Sequence, residues 1–204
     1  MKDDFFKYQA QTSPHPLAIE VLRAKGSYIC DTSNKKYLDF VAGVSANSLG
    51  HNHPKVTEAI KNQLDSYAHV MVYGEFIQQP QVDLCKLLVQ NSPENLNSVY
   101  ITNSGTEATE GALKLAKRVT GRSGIIAAKH SYHGNTMGAM SVSGVERQNQ
   151  AFRPLIPGTT FINFNNEADL KHITTKTAAF RNYSRWCWFY RTKKRIFIKS
   201  KKEV

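Results

Sequence analysis

The chain has 204 residues and a net charge of +11, long enough to bury a sizeable core as one large domain or as one and a half small ones. From residue 172 onward ten Lys and Arg stand against one acid, Glu203, so +9 of that charge lies there, while residues 1–171 hold seventeen basic and fifteen acidic residues and carry +2. The nearly neutral body excludes an extended nucleic-acid surface, and no apolar run reaches the length of a membrane helix.

The opening residues, Met1 to Pro16, are polar and include Asp3 and Asp4, without the apolar stretch of a secretory signal. Three cysteines, Cys30, Cys85 and Cys187, have no metal-ligand spacing, and an odd number fits a reducing cytoplasm better than a disulfide framework. Leu17 to Lys25 is a short apolar-polar stretch. Residues 27–30 and 36–40 read as two strands of a hairpin, joined by the polar turn Asp31-Thr32-Ser33-Asn34. Small residues then lead to Leu49-Gly50-His51-Asn52-His53-Pro54. Pro54 predicts a helix start, with Val56, Ala59, Ile60 and Leu64 on one face as far as about Tyr67. His51 and His53 have the look of metal ligands, but no carboxylate or third ligand stands nearby in the sequence, and a turn before a helix explains them better. A second helix fits residues 79–90, carrying Val82, Leu84, Leu87 and Leu88.

The stretch from Val99 to Arg118 is the most informative. Val99-Tyr100-Ile101 reads as a buried strand, and a helix-forming sequence with Ala108, Ala112, Leu115 and Ala116 as apolar positions follows. Ser104 or Thr106 is the candidate cap, and Glu107 completes a capping box with Ser104. Strand, polar turn and helix N-terminus together form an anion site, because unpaired N–H groups and the positive end of the macrodipole face the turn. Gly105 allows a close backbone approach, and Ser104 or Thr106 adds a hydroxyl. Phosphate suits such a turn. The same pattern also occurs as an ordinary capped helix, and neither a nucleotide P-loop nor a dinucleotide fingerprint is present.

Residues 124–128, Gly-Ile-Ile-Ala-Ala, form a continuous apolar run suited to a parallel strand buried on both faces. The polar, aromatic loop Lys129 to Thr136 follows, and then a helix from Met137 to Ser143. In an open α/β sheet, loops at the carboxyl ends of neighbouring strands converge on one crevice. The Ser104-Gly105-Thr106 turn offers a phosphate cradle, and the Tyr132-His133-Gly134 loop offers a flat ring to stack on a planar cofactor.

Asp39-Phe40-Val41-Ala42-Gly43, Gly50-His51-Asn52-His53-Pro54, Asn103-Ser104-Gly105-Thr106-Glu107-Ala108 and Tyr132-His133-Gly134 occur here in an order and spacing that resemble the class III pyridoxal-phosphate aminotransferases. The acetylornithine and ornithine branch is the most similar, and the likeness runs from about Pro14 to about Thr177. The resemblance implies a type I aminotransferase fold, α/β, with a mainly parallel sheet, helices on both faces and a smaller domain containing the N-terminal segment. It implies pyridoxal 5′-phosphate as cofactor, amino acid and 2-oxo acid substrates, and homodimers with active sites at the subunit interface. Ser104, Gly105 and Thr106 match the turn that holds the cofactor phosphate. Tyr132 matches the aromatic that stacks on the pyridine ring, with His133 beside it. On this basis residues 1–50 belong to the small domain and residues 51–179 to the N-terminal part of the cofactor-binding large domain.

Two departures stand out. The acetylornithine branch usually carries an arginine at the position of Asn135, paired with a substrate carboxylate. Asparagine supplies neither that charge nor its fork, which leaves the amino donor open. Beyond residue 179 aromatics and cations are mixed with no sustained period. That abrupt change suggests a shifted reading frame, and residues 180–204 read as an out-of-frame or disordered basic tail. The lysine that bonds to the cofactor, and the carboxylate at its ring nitrogen, lie downstream of this point in the family. Lys114 and Lys117 fall on a helix body and Lys129 precedes the aromatic loop, so no catalytic residue is assigned. The expectation is therefore the N-terminal part of an aminotransferase, inactive alone. The alternatives are a half-enzyme completed by another chain, or a tail-driven binder of nucleic acid or acidic surfaces.

Overall fold

A computed structural model describes residues 1–71 and 73–181. The chain forms two compact units, Met1–Val82 and Asp83–Val204. The first opens with helix α1 (Lys2–Tyr8) and continues into an antiparallel meander of β1 (Val21–Lys25), β2 (Tyr28–Asp31) and β3 (Lys36–Leu38). The sequence predicts the β2–β3 hairpin. It does not predict β1, whose pairs run from Val21 with Asp31 to Lys25 with Tyr28. The β2–β3 turn is fixed by Asp31, whose Oδ1 accepts from the amides of Ser33 (2.9 Å) and Lys35 (3.0 Å).

Beyond β3 comes a single turn, α2 (Ala42–Ser45), in which Ala42, Gly43, Val44 and Ser45 all have positive φ. Such a left-handed turn costs about 1–2 kcal/mol per non-glycine residue, so its neighbours must hold it. Asp39 does so, its Oδ1 accepting from the amides of Val41 (3.0 Å) and Ala42 (2.9 Å). Helix α3 (Pro54–Ser66) starts on its proline as predicted. Helix α4 (Gln79–Gln90) also matches its predicted span. The apolar stripes of both helices are exposed within this chain, at Val56, Ile60 and Leu64 on α3 and at Val82, Leu84, Leu87 and Leu88 on α4.

The second unit is built on a parallel sheet of order β5-β4-β6. Its strands are β4 (Gly124–Ala128), β5 (Thr159–Ile162) and β6 (Thr177–Arg181). Strand β4 is central, pairing Ile125 with Thr159 on one side and Ile126 with Phe180 on the other. Alternation along β4 sends successive side chains to opposite faces. Ile126 joins Ile162, Leu170, Ile173 and Phe180, while Ile125 and Ala127 join Val142 and Ala178 with Leu113 and Ala116 from helix α5 (Gly105–Thr120). Burying each isoleucine is worth roughly 2–3 kcal/mol before entropy is counted. The prediction of a strand covered on both faces holds for β4. Strand β6 includes Phe180 and Arg181, and the rest of the predicted tail, 182–204, lies outside the described residues.

Two predictions from the central stretch need correction. Val99, Tyr100 and Ile101 do not form a strand: the segment is irregular, and Tyr100 is 85% exposed. A β-strand requires a ladder partner, and among the described residues no strand pairs with this segment. Of the predicted apolar positions Ala108, Ala112, Leu115 and Ala116 on α5, Ala116 faces the sheet as expected, while Ala108 and Ala112 are exposed. Leu113 and Ala116 pack on the sheet and Thr109 is buried, while Leu115 is exposed. Thr109 tolerates burial because its hydroxyl donates to Gly105 O at 2.9 Å, a bond that a count of apolar residues misses.

Candidate functional site

Helix α5 begins as the sequence predicts, with Ser104 as the cap. Ser104 Oγ accepts from the Glu107 amide at 3.2 Å. Glu107 reaches back to the Asn103 amide at 2.8 Å, one residue earlier than the usual capping box. Ser104 and Gly105 are exposed, and no atom lies within 4 Å of where a Gly105 Cβ would stand. The amides of Gly105 and Thr106 belong to the first helical turn, which has no preceding carbonyls of its own to bond. The arrangement at this turn is chemically suited to an anion. Ser104 accepts from its helix, so its own hydroxyl proton is free to be donated outward.

The loop after β4 is held from below. Ser131 is fully buried, its hydroxyl donating to Ala128 O at 2.6 Å, and the His133 amide donates to Ser143 Oγ at 2.9 Å. His133 is itself buried. Tyr132 is half-buried, and its hydroxyl donates to Asn135 Oδ1 at 3.0 Å. Gly134, at φ +130, then carries the loop against α5 so closely that a Cβ there would overlap the Thr106 hydroxyl. Here glycine is required both by the backbone and by the contact.

Two residues that the sequence reading passed over complete the contact. Thr106 Oγ1 lies 3.1 Å from Thr136 Oγ1, and Thr136 Oγ1 donates to Glu110 Oε1 at 2.5 Å. The same Glu110 oxygen accepts from the amides of Gly138 (2.9 Å) and Ala139 (3.2 Å), the first turn of helix α6 (Met137–Ser141). Hydrogen bonding from Thr136, with smaller help from those amides and from Lys114, holds the Glu110 carboxyl below its ordinary range against the opposing effect of burial. A carboxylate only accepts, so Thr136 gives its proton to Glu110 and takes one from Thr106. The Thr106 hydroxyl is therefore directed into the protein, and of the two predicted hydroxyls that of Ser104 is the one left to donate outward. The Glu110 signal in the sequence was weak, because a glutamate in the second turn of a helix ordinarily faces solvent.

A cavity of about 80 Å³ lies beside Glu110, lined by Leu113, Lys117, Ile125, Gly138 and Val142 among others. Ligand sites are roughly 300–1,000 Å³, so this void is not the cofactor site. Of the two histidines singled out before α3, His51 has a separate role. His51 Nε2 donates to Asp39 Oδ2 at 2.7 Å, and the bond holds the Asp39 carboxyl below its usual range. A carboxylate therefore does stand beside His51, from a residue twelve positions away in the sequence. Gly26 and His51 also exchange backbone bonds of 2.9 and 2.8 Å, possible because Gly50 carries no Cβ against Gly26. The pair is a clasp between the hairpin and the entry to α3.

The class-III aminotransferase family profile matches residues 8–185. The chain belongs to the class III aminotransferases. It is 40% identical over 155 residues to acetylornithine aminotransferase of Lactiplantibacillus plantarum, covering 76% of this chain and 39% of that protein. Among solved structures it is similar to adenosylmethionine-8-amino-7-oxononanoate aminotransferase from Methanocaldococcus jannaschii, with a TM-score of 0.79 and 29% identity over 88% of this chain and 45% of that one. A second is taurine:2-oxoglutarate aminotransferase from Bifidobacterium kashiwanohense, solved with PLP and glutamate, at TM-score 0.76 and 25% identity over 88% of this chain and 46% of that one. The α/β fold is thus that of the type I aminotransferases over the matched residues. This class III chain spans about two fifths of the length of the curated relative it matches.

Proposed function

We propose that Ser104, Gly105, Thr106, Tyr132 and His133 form the phosphate and ring contacts for pyridoxal 5′-phosphate in a chain of the amino-transfer family. The observation that carries this reading is the closure of the aromatic loop onto the first turn of α5, through Gly134 on Thr106 and the Thr106–Thr136 hydrogen bond. The residues fit the group. Exposed amides at a helix N-terminus suit a phosphate dianion, the Ser104 hydroxyl adds a donor, and Tyr132 offers a ring face. When bound, the cofactor supplies an electron-withdrawing ring for exchange of an amino group between an amino acid and a 2-oxo acid. Ser143, by accepting from the His133 amide, fixes the peptide that follows Tyr132.

None of Lys114, Lys117 and Lys129 is offered as the bonding amine. Lys114 and Lys117 lie in the body of α5 and Lys129 at the end of β4, before the aromatic loop. We therefore expect non-covalent cofactor binding and no turnover by this polypeptide alone, since the covalent step has no substitute. Within the same reading residues 1–50 belong to the small domain, residues 51–179 to the large one, and the working form is a cytoplasmic homodimer. Among the described residues no helix is long and apolar enough to cross a membrane.

The test is a titration of purified protein with pyridoxal phosphate, followed by absorbance and tyrosine fluorescence, with inorganic phosphate as competitor. Saturable binding that phosphate displaces supports the cradle, and absence of saturation ends it. A borohydride-trapped adduct on one lysine, together with keto-acid formation, overturns the non-covalent part. A second reading, completion by another polypeptide, is favoured by the irregular Val99-Tyr100-Ile101 segment and its exposed Tyr100. Co-purification of a second fragment with restored turnover is its signature.

A further inference from the structure

We propose that Glu110 is a positioning residue: from the second turn of α5 it holds the Tyr132–Thr136 loop against the phosphate turn and so sets where the Tyr132 ring lies over a bound cofactor. This rests on the cofactor reading above and goes one step beyond it, to a residue that touches neither phosphate nor ring. One carboxylate oxygen, Oε1, gathers three donors from the far end of the loop, the Thr136 hydroxyl and the amides of Gly138 and Ala139. Thr136 precedes α6 and is the residue type expected to cap it, yet its side chain makes no cap bond. Its hydroxyl turns to Glu110 instead, and Glu110 takes over the cap. Helix α6 is thereby tied to α5 rather than closed on itself.

The packing leaves no slack in this tie. A Cβ on Gly138 would overlap the Glu110 carboxylate, as one on Gly134 would overlap Thr106. The loop is therefore pinned to α5 at two points one helical turn apart, Thr106 and Glu110. Tyr132 stands two residues before the first pin. Loss of the second pin leaves the phosphate turn intact, because Ser104, Gly105 and their cap bonds belong to α5 alone. The ring, by contrast, loses its fixed height above the turn.

The experiment measures the affinities of inorganic phosphate and pyridoxal phosphate for the full chain, and amide hydrogen exchange, in the unaltered protein and in Glu110→Ala, Glu110→Gln and Thr136→Val. Glu110→Ala is expected to weaken pyridoxal phosphate at least tenfold with phosphate unchanged within twofold, and to speed exchange over residues 132–139 but not across α5. Glu110→Gln keeps an acceptor oxygen and is expected to stay within threefold of the unaltered protein. Thr136→Val removes one of the three donors and, with it, the acceptor of the Thr106 hydroxyl, while leaving the two amides and the Gly134 contact in place. It is expected to show the same selective loss in smaller measure, so a Glu110→Ala protein that fails to fold does not end the test. Parallel loss of phosphate and pyridoxal phosphate, or pyridoxal phosphate affinity in Glu110→Ala equal to that of the unaltered protein, overturns the role of Glu110 alone. Absence of pyridoxal phosphate binding in the unaltered protein overturns the cofactor reading and this inference with it.

Discussion

In Met1–Val82 the buried apolar residue among those described is Cys30, whereas residues 83–181 bury Ile125, Ile126, Val142, Ile162, Leu170 and Ile173 around one parallel sheet. The first unit is held by polar fastenings: the Asp31 turn, the Asp39–His51 clasp and the exchanged bonds of Gly26 and His51. The second is held by burial and by the two pins between α5 and the aromatic loop. Polar fastenings fix local geometry and contribute about 0.5–3 kcal/mol each, while the second unit adds those six buried aliphatics at roughly 1.5–3 kcal/mol apiece before entropy is counted. The second unit is thus the part able to hold its shape unaided, and it carries every candidate cofactor contact.

The contrast breaks most sharply under core truncation. Ile126→Ala in β4 is expected to cost about 2–4 kcal/mol in urea unfolding, since Ile126 packs against Ile162, Leu170, Ile173 and Phe180. Ile60→Ala on the exposed stripe of α3 is expected to cost under about 1 kcal/mol, because no methylene there leaves a packed site. Equal losses from the two substitutions would mean that α3 is covered in solution, and the two units would then not differ as described. Gly134→Ala is the next largest change. The new Cβ meets the Thr106 hydroxyl at a backbone angle that alanine rarely adopts, φ +130. We expect it to lower pyridoxal phosphate affinity at least tenfold by fluorescence titration, with unit one unchanged by amide chemical shifts. Ser104→Ala follows, removing the α5 cap for a loss of about 1 kcal/mol, while Ser104→Gly loses only a few tenths. Calorimetric melting of the two variants side by side checks that order.

How much of this was legible in the sequence divides along the same line. The spans of α3, α4 and β4 follow from proline placement and apolar runs, and the Ser104–Glu107 cap follows from its four-residue pattern, because all of these are local. What failed was non-local. Val99-Tyr100-Ile101 has strand composition, but a strand exists only with a partner, and composition does not supply one. The bond of Glu110 to Thr136, like that of Asp39 to His51, joins residues that no periodicity links. Of the five predicted site residues, Thr106 is brought to the Tyr132-His133-Gly134 loop, yet its proton turns inward and away from a guest. That detail needs the fold. Chemistry that depends on which way a hydroxyl points is decided by a third residue, here Glu110.

The finest discrimination between the units comes from acid. Asp39 sits below its ordinary value of 3.8 because His51 donates to it first of all and the Ala42 and Val41 amides add to this, and Glu110 sits below 4.5 because Thr136 donates to it. A carboxylate with a depressed folded pKa stabilises the fold above its unfolded value, and that contribution is lost as pH falls through the folded value. Both fastenings are therefore intact at neutral pH and loosen only below about pH 4. In unit two the core outlasts the loss of Glu110, so its amide shifts at residues 136–139 should move without unfolding. In unit one Asp39 also anchors the left-handed turn at Ala42–Ser45, which has no burial behind it. Its amides should lose dispersion over the same acid range in which β4 stays folded. A two-dimensional NMR titration from pH 6 to pH 2 reads both at once. A midpoint for Val41 and Ala42 at or above 3.8, or simultaneous collapse of β4, would show that the clasp is not what holds the first unit together.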